Sequence, residues 1–161
     1  MTPRIPDGSA AAETENAVRQ YLTFTLGSEE YGIDILGVQE IKGYTGVTPL
    51  PNTLPYVRGI MNLRGTVIPI VDLRIRFGMS EQQYSKFSVV IVVKVRAKAV
   101  GLIVDAVSDV LEIASSEVRE TPDCGRTDLR FITGIATVGE KLVVLLETEK
   151  LLSDEEITAA A

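Results

Sequence analysis

The sequence predicts an all-β protein of two small five-stranded barrels packed together, with a short C-terminal helix. Three observations carry this expectation. Short apolar runs of β character recur between Gly and Pro turns along nearly the whole chain. Gly32-Ile33-Asp34-Ile35-Leu36-Gly37-Val38-Gln39-Glu40-Ile41 matches Gly101-Leu102-Ile103-Val104-Asp105-Ala106-Val107-Ser108-Asp109-Val110 without a gap, glycine, apolar positions and penultimate acid coinciding. YVRGIMNL at 56–63 then matches FITGIATV at 131–138, and in the same register VIPIVD at 67–72 falls on LVVLLE at 142–147. The ordered recurrence reads as an internal duplication. Each half, about 65 residues of five short strands, has the size of a small closed barrel. Two such barrels would share a core and leave a groove at their junction.

Residues 1–18, rich in Ala, Pro, Gly and polar side chains without sustained periodicity, are expected to be a mobile leader. One packed unit then spans 19–152, its first barrel mostly about 20–85 and its second mostly about 86–150, before a tail at 153–161. YLTFTL alternates, GSEE turns and YGIDIL begins a second strand, so 21–36 is a hairpin. The three prolines of TGVTPLPNTLPYVRG exclude a long helix. Strands follow near 60–64 and 66–71, and the unbroken run SVVIVVKV at 88–95 predicts a strand buried on both faces. VGLIVDAVSDVLEI is strand-like, and FITGIATVGEKLVVLLE supplies two strands about a Gly-Glu turn. TEKLLSDEEITAA reads as a short helix docked by Leu151, Leu152 and Ile157.

Composition narrows the function. With 161 residues, 45% hydrophobic and 24% charged, the chain can bury a core. No apolar stretch is long enough to span a bilayer and none resembles a signal peptide, so the expected location is the cytoplasm, without direct membrane insertion. There is no histidine, which excludes Ser-His-Asp and Cys-His sites, His metal sites and phosphohistidine relays. A single cysteine, Cys124, can form no internal disulfide and lacks the thiol partners of a metal site, so no metal or cofactor is expected. The formal net charge of −6 opposes non-specific nucleic-acid binding.

Against that charge, Arg58, Arg64, Arg74 and Arg76 concentrate around IMNLRGTVIPIVDLRIRFG at 60–78. Arg74 and Arg76 alternate with Ile75 and Phe77 and are expected to solvate one strand face. Asp34 and Asp105 fit the solvent side of alternating strands, whereas Asp72, at a strand end, suits a turn cap or an arginine pair. Arg64 stands in the tight turn Asn62-Leu63-Arg64-Gly65, where its planar fork can reach a carboxylate such as Glu40 across a groove. The competing reading is a small enzyme that uses the carboxylates around Asp72 together with Arg64, which requires a pocket holding both with shifted pKa values. Asp128 belongs to the same candidate set.

The runs YLTFTLGSEEYGIDILGVQEI, RGIMNLRGTVIPIVDLRIRFG, VGLIVDAVSDVLEI and FITGIATVGEKLVVLLETEKLL, in this order over about residues 20–152, resemble the CheW family of chemotaxis coupling proteins. The resemblance implies two SH3-like barrels around a shared core and a non-enzymatic adaptor. That adaptor joins the cytoplasmic tips of chemoreceptors to the regulatory domain of the histidine kinase CheA. A coupling protein of a non-flagellar signalling array is the alternative within the same class. Carried over, the receptor groove is Ile35, Val38, Gln39, Glu40 and Ile41 with Arg64 opposite, and Val104 adds apolar surface. The kinase face is the barrel edge at Gly65, Thr66 and Val67. A second contact involves the Glu29–Glu30 turn and the loop from Arg119 to Arg126, which contains Cys124.

Overall fold

The computed structural model describes residues 17–79, 84–121 and 131–151. Eleven strands lie in these residues: β1 Val18–Leu26, β2 Glu29–Asp34, β3 Val38–Gly43, β4 Val57–Leu63, β5 Thr66–Asp72, β6 Val89–Val95, β7 Lys98–Val104, β8 Ala106–Ala114, β9 Val118–Arg119, β10 Ile132–Val138 and β11 Lys141–Leu146. The one α-helix among them is a single turn, α1, Leu73–Arg76. The strands form a six-stranded sheet ordered β8-β1-β2-β11-β10-β9 and a five-stranded sheet ordered β3-β6-β7-β5-β4. No helix of the described residues is long and apolar enough to cross a membrane.

The duplication is visible in the strand registers. Tyr21↔Asp34 between β1 and β2 recurs as Val90↔Ile103 between β6 and β7. Val38↔Val93 and Glu40↔Val92, with a bulge between, recur as Val107↔Phe24 and Asp109↔Thr23 with the same bulge. Val57↔Val71 and Gly59↔Ile70 recur as Ile132↔Leu146 and Gly134↔Leu145. The parallel pair Ile70↔Gly101 recurs as Leu145↔Gly32.

The halves are nevertheless not assigned one to each sheet, as their order along the chain suggested. β1 and β2 of the first half join β8, β10 and β11 of the second, while β6 and β7 of the second join β3, β4 and β5 of the first. Each sheet is completed by a bent segment. After β3, Tyr44 N–H donates to Ser88 O at 3.0 Å, and Thr48 bridges Ile60 of β4, so one segment links both edges of the five-stranded sheet. After β8, a 3-10 turn at Ser115–Glu117 leads into β9, which pairs with β10 as Ile135↔Arg119.

Three cores result. Met61, Ile68, Ile70, Val90, Val92 and Ile103 fill the five-stranded unit, and Ile113, Ala136, Val143 and Leu145 fill the six-stranded one. A larger cluster, including Leu22, Phe24, Ile33, Val71, Ile91, Val93, Leu102 and Leu146, lies between them. β6 explains how one strand serves two cores: Ile91, Val93 and Val95 face the shared cluster, and Val90 and Val92 face the barrel interior. The Val/Ile run at 89–93 suits a strand buried on both faces, and only Lys94 of β6 is exposed. Phe24, Tyr31, Phe77 and Phe131 extend the shared core as a chain of rings with centroids 6.0, 5.5 and 5.0 Å apart.

Two expectations about arginine are overturned here. Leu73–Arg76 is a helical turn, not a strand, because the Asp72 carboxylate accepts the Arg74 N–H at 2.9 Å and starts the turn. Arg74 then points inward, its side chain 10% exposed, and donates through Nε (2.8 Å) and a terminal nitrogen (2.6 Å) to Asp105. Asp105 is therefore a structural partner and not a solvated strand residue. Arg76 lies over Tyr56 at 5.3 Å and Phe131 at 5.5 Å and donates to Leu151 O at 3.1 Å.

The C-terminal end begins with a 3-10 turn at Thr148–Lys150 and a buried Leu151. The expected helix beyond it, with Leu152 and Ile157, lies outside the described residues, as do residues 1–16 of the expected leader. The β6–β7 turn places Arg96 at φ +49° and Ala97 at φ +69°. The left-handed region is costly for alanine, so Ala97→Gly is expected to raise stability by about 0.5 kcal/mol after the entropy of the unfolded glycine is discounted. A rise in the thermal midpoint checks this.

Candidate functional site

Asp34 begins the site. Its carboxylate accepts the Leu36 N–H at 2.9 Å and caps a 3-10 turn, Ile35–Gly37, that leads into β3. β3 then carries a bulge at Gln39, since Val38 pairs with Val93 and Glu40 with the next residue, Val92. Paired residues share a sheet face, so the bulge puts Val38 and Ile41 on the side of the shared core, next to Val93 and Ile91, and Glu40 on the barrel side, next to Val92. Ile35 and Val38 are half-buried against the shared core, Ile41 is 43% exposed, and Gln39 is exposed.

Across the mouth of the five-stranded barrel stands the β4–β5 turn. Arg64 (φ +52°) and Gly65 (φ +88°) form a two-residue hairpin loop, and Gly65 N–H donates to Asn62 Oδ1 at 2.8 Å. The Arg64 guanidinium lies 2.9 Å from the Glu40 carboxylate, the ion pair expected from the turn. Arg64 is 77% exposed, so the pair is worth at most about 1 kcal/mol. Thr66 and Val67, beside this turn, are exposed.

The remaining candidates divide. Val104, expected to offer apolar surface, is 1% exposed and sits in the shared core, because it ends β7 opposite Val89. On β8, which follows Val104, Val107 is half-buried and Val110, the duplicate of Ile41, is 44% exposed. The alignment of the two halves already paired Ile41 with Val110, but the bulge that brings Val110 to the same face as Val107 has no sequence signal. Glu29, exposed, opens β2 opposite Leu26, and Glu30 lies 3.5 Å from Lys141. Arg119 is exposed in β9. Cys124, Asp128 and residues 122–126 of the expected contact loop lie outside the described residues.

Among the described residues, the carboxylates of the enzyme reading are held separately. Asp72 is buried and accepts the Arg74 N–H at 2.9 Å and the Tyr84 hydroxyl at 2.6 Å, while Arg64 belongs to Glu40. Burial, then the bond and charge of Asp72, push the Tyr84 phenol far above its usual range. Arg58 lies 6.0 Å over the Tyr84 ring. Burial alone would raise the pKa of Asp105; the Arg74 guanidinium and the Gly27 N–H outweigh it and hold the carboxyl below the usual range.

Two open clefts flank the Ile35–Gly37 turn. One, of about 570 Å³, is lined by Val18, Gln20, Ile35, Leu36 and Glu112 among others. The other, of about 430 Å³, lies on the far side of Leu36. The arrangement is apolar and charged surface on rigid β elements, suited to binding a protein segment.

The family model "CheW-like domain" matches residues 20–156. The chain is similar to the chemotaxis protein CheW of Klebsiella aerogenes, 44% identical over 144 residues, covering 89% of this chain and 87% of that protein. It is 37% identical over 153 residues to the chemotaxis protein CheW of Rhizobium meliloti, covering 94% and 99%. Among solved structures, the scaffolding protein TtCheW of Thermoanaerobacter tengcongensis superposes with a TM-score of 0.79 at 34% identity, covering 86% of this chain and 94% of that one.

Proposed function

The chain belongs to the CheW family and is a coupling adaptor of chemotaxis signal transduction; from that premise we propose that it joins chemoreceptor tips to the histidine kinase CheA without catalysing a reaction, working in the cytoplasm beneath receptor arrays. The observation that carries this reading is the bulged β3 strand. Its bulge puts Val38 and Ile41 on the shared-core face of β3, directly after the turn whose Ile35 and Leu36 line the cleft of about 570 Å³, and leaves Glu40 on the opposite face, paired with Arg64.

The receptor tip, a helical segment with an apolar stripe, lies along Ile35, Val38 and Ile41, with Gln39 at the rim. Burying such a stripe yields about 25 cal/mol per Å² of apolar surface. Glu40 and Arg64 set a charged rim beside this stripe. The kinase regulatory domain meets the hairpin edge at Gly65, Thr66 and Val67, and a second contact uses Glu29, Arg119 and the loop with Cys124. Individually modest contacts suffice, because a repeated array multiplies them.

Pull-down of a receptor-tip fragment and of CheA by the purified protein tests the reading. Val38→Asp is expected to reduce receptor capture at least tenfold, since it buries an unpaired charge in the interface. Arg64→Ala, expected to keep native circular dichroism because the side chain is exposed, reduces capture of at least one partner. Wild-type capture of both partners by both variants would sink the site assignment; no capture by the wild type would sink the partners.

A further inference from the structure

The two halves place equivalent residues at two seams between the sheets, and the seams have diverged. In the first, Asp105 receives Arg74 from α1 and the Gly27 N–H at 2.8 Å, so an arginine and a carboxylate fill the space. In the second, the duplicate of Arg74 is Glu149, in the turn capped by Glu147 as α1 is capped by Asp72. The duplicate of Gly27 is Arg96, whose N–H donates to Glu149 Oε1 at 2.8 Å. The duplicate of Asp105 is Leu36, which bonds to neither and is 90% exposed. The seam that an arginine closes on one side is open on the other, as the cleft of about 430 Å³.

The exposed apolar residues mark the same asymmetry. Val18 and Phe87, Ile41 and Val110, and Val67 and Leu142 occupy equivalent places in the two halves, all six exposed. Leu36 has only the inward-turned Asp105 as its equivalent. It forms the ridge between the open seam and the cleft that holds Ile35, since it lines both. Beyond it the seam carries the carboxylates of Asp34, Glu147 and Glu149 against the cations Arg19 and Lys94, and Arg19 already lies 3.4 Å from Asp34.

We propose that the open seam extends the docking groove: the helical partner that lies along Ile35 and Val38 crosses Leu36 with an apolar residue and places a lysine or arginine side chain in the seam, toward Glu147 and Glu149. The partner would thus supply from outside the basic group that Arg74 supplies from within at the other seam. Two features of the seam select this occupant: it is continuous with the proposed receptor cleft through Leu36, and its lining carboxylates outnumber its cations. The inference rests on the receptor-groove reading above.

Titration calorimetry of the full chain with a receptor-tip helical hairpin, and separately with the CheA regulatory domain, tests it. Leu36→Asp is expected to weaken hairpin binding at least tenfold while the thermal midpoint and the affinity for CheA stay at wild-type values. Glu149→Gln keeps an acceptor for the Arg96 N–H and removes the charge; it is expected to weaken hairpin binding about threefold and to flatten its dependence on salt concentration. If both variants bind the hairpin as the wild type does while Val38→Asp does not, the open seam is not part of the groove and the receptor reading stands. If Val38→Asp also binds normally, the groove reading and this extension fall together.

Discussion

Gly59→Ala is expected to destabilise the protein by about 3–5 kcal/mol, a large fraction of the stability of an ordinary domain. Gly59 has φ +150°, a conformation that side-chain-bearing residues rarely adopt. A Cβ there would also land on the Thr48 carbonyl and within 3.0 Å of Pro49 Cα, both backbone atoms that cannot swing aside. The close approach exists because residues 44–48 must reach β4 to complete the five-stranded unit, through Ile60 N–H to Thr48 O at 2.8 Å and Thr48 N–H to Ile60 O at 2.9 Å. Alanine therefore breaks the ring of pairing around the Met61, Ile68 and Val92 core, and this unit shares its strands with the other half. A single cooperative loss of structure is expected in denaturant titration. Gly43→Ala, at a position with open space around it, serves as the control and should change stability by less than about 0.5 kcal/mol. Equal stability of the two variants would show that the bent segment does not hold the barrel.

Asp105→Ala is expected to cost about 2–3 kcal/mol at neutral pH. The variant leaves the Arg74 guanidinium, 10% exposed, without its carboxylate and leaves the Gly27 N–H without its acceptor. Removing one member of a buried pair costs more than the pair was worth, because the remaining charge stays desolvated. The figure is kept low because the Asp105 carboxylate is itself 31% exposed. The pH dependence has a definite sign. The folded pKa of Asp105 lies below its unfolded value, so its contribution is fully present above about pH 4 and is lost as pH falls through the folded pKa. The stability gap between wild type and variant should thus be constant from about pH 5 to 7 and shrink in more acid solution. A gap that widens on acidification would exclude this pair as its source.

Much of this was legible in the residues. Strand positions follow from Val/Ile alternation and Gly turns, and the five consecutive apolar residues at 89–93 announced a strand with two dry faces. The match of 32–41 with 101–110 announced the duplication. The Arg64–Glu40 pair was readable because a two-residue turn with glycine can only project its arginine outward. Arg74 and Arg76 were misread, since LRIRF alternates like a strand; what decides otherwise is one side-chain bond from Asp72, which starts a helical turn and rotates Arg74 inward. Val104 was misread because an apolar residue at the end of a strand gives no sign of which core it faces.

The sequence by itself determined the strand content, the repeat and the family, because periodicity and motif order are local properties of the chain. Only the tertiary structure decided which strands pair. β1 and β2 leave their own half for β8 and β11, a choice made by burial of Leu22, Phe24 and Ile33 against partners about 70 residues or more away, and non-local burial leaves no local mark. The same holds at the seams. That Asp105 closes one and Leu36 leaves the other open depends on which duplicate, Arg74 or Glu149, stands opposite.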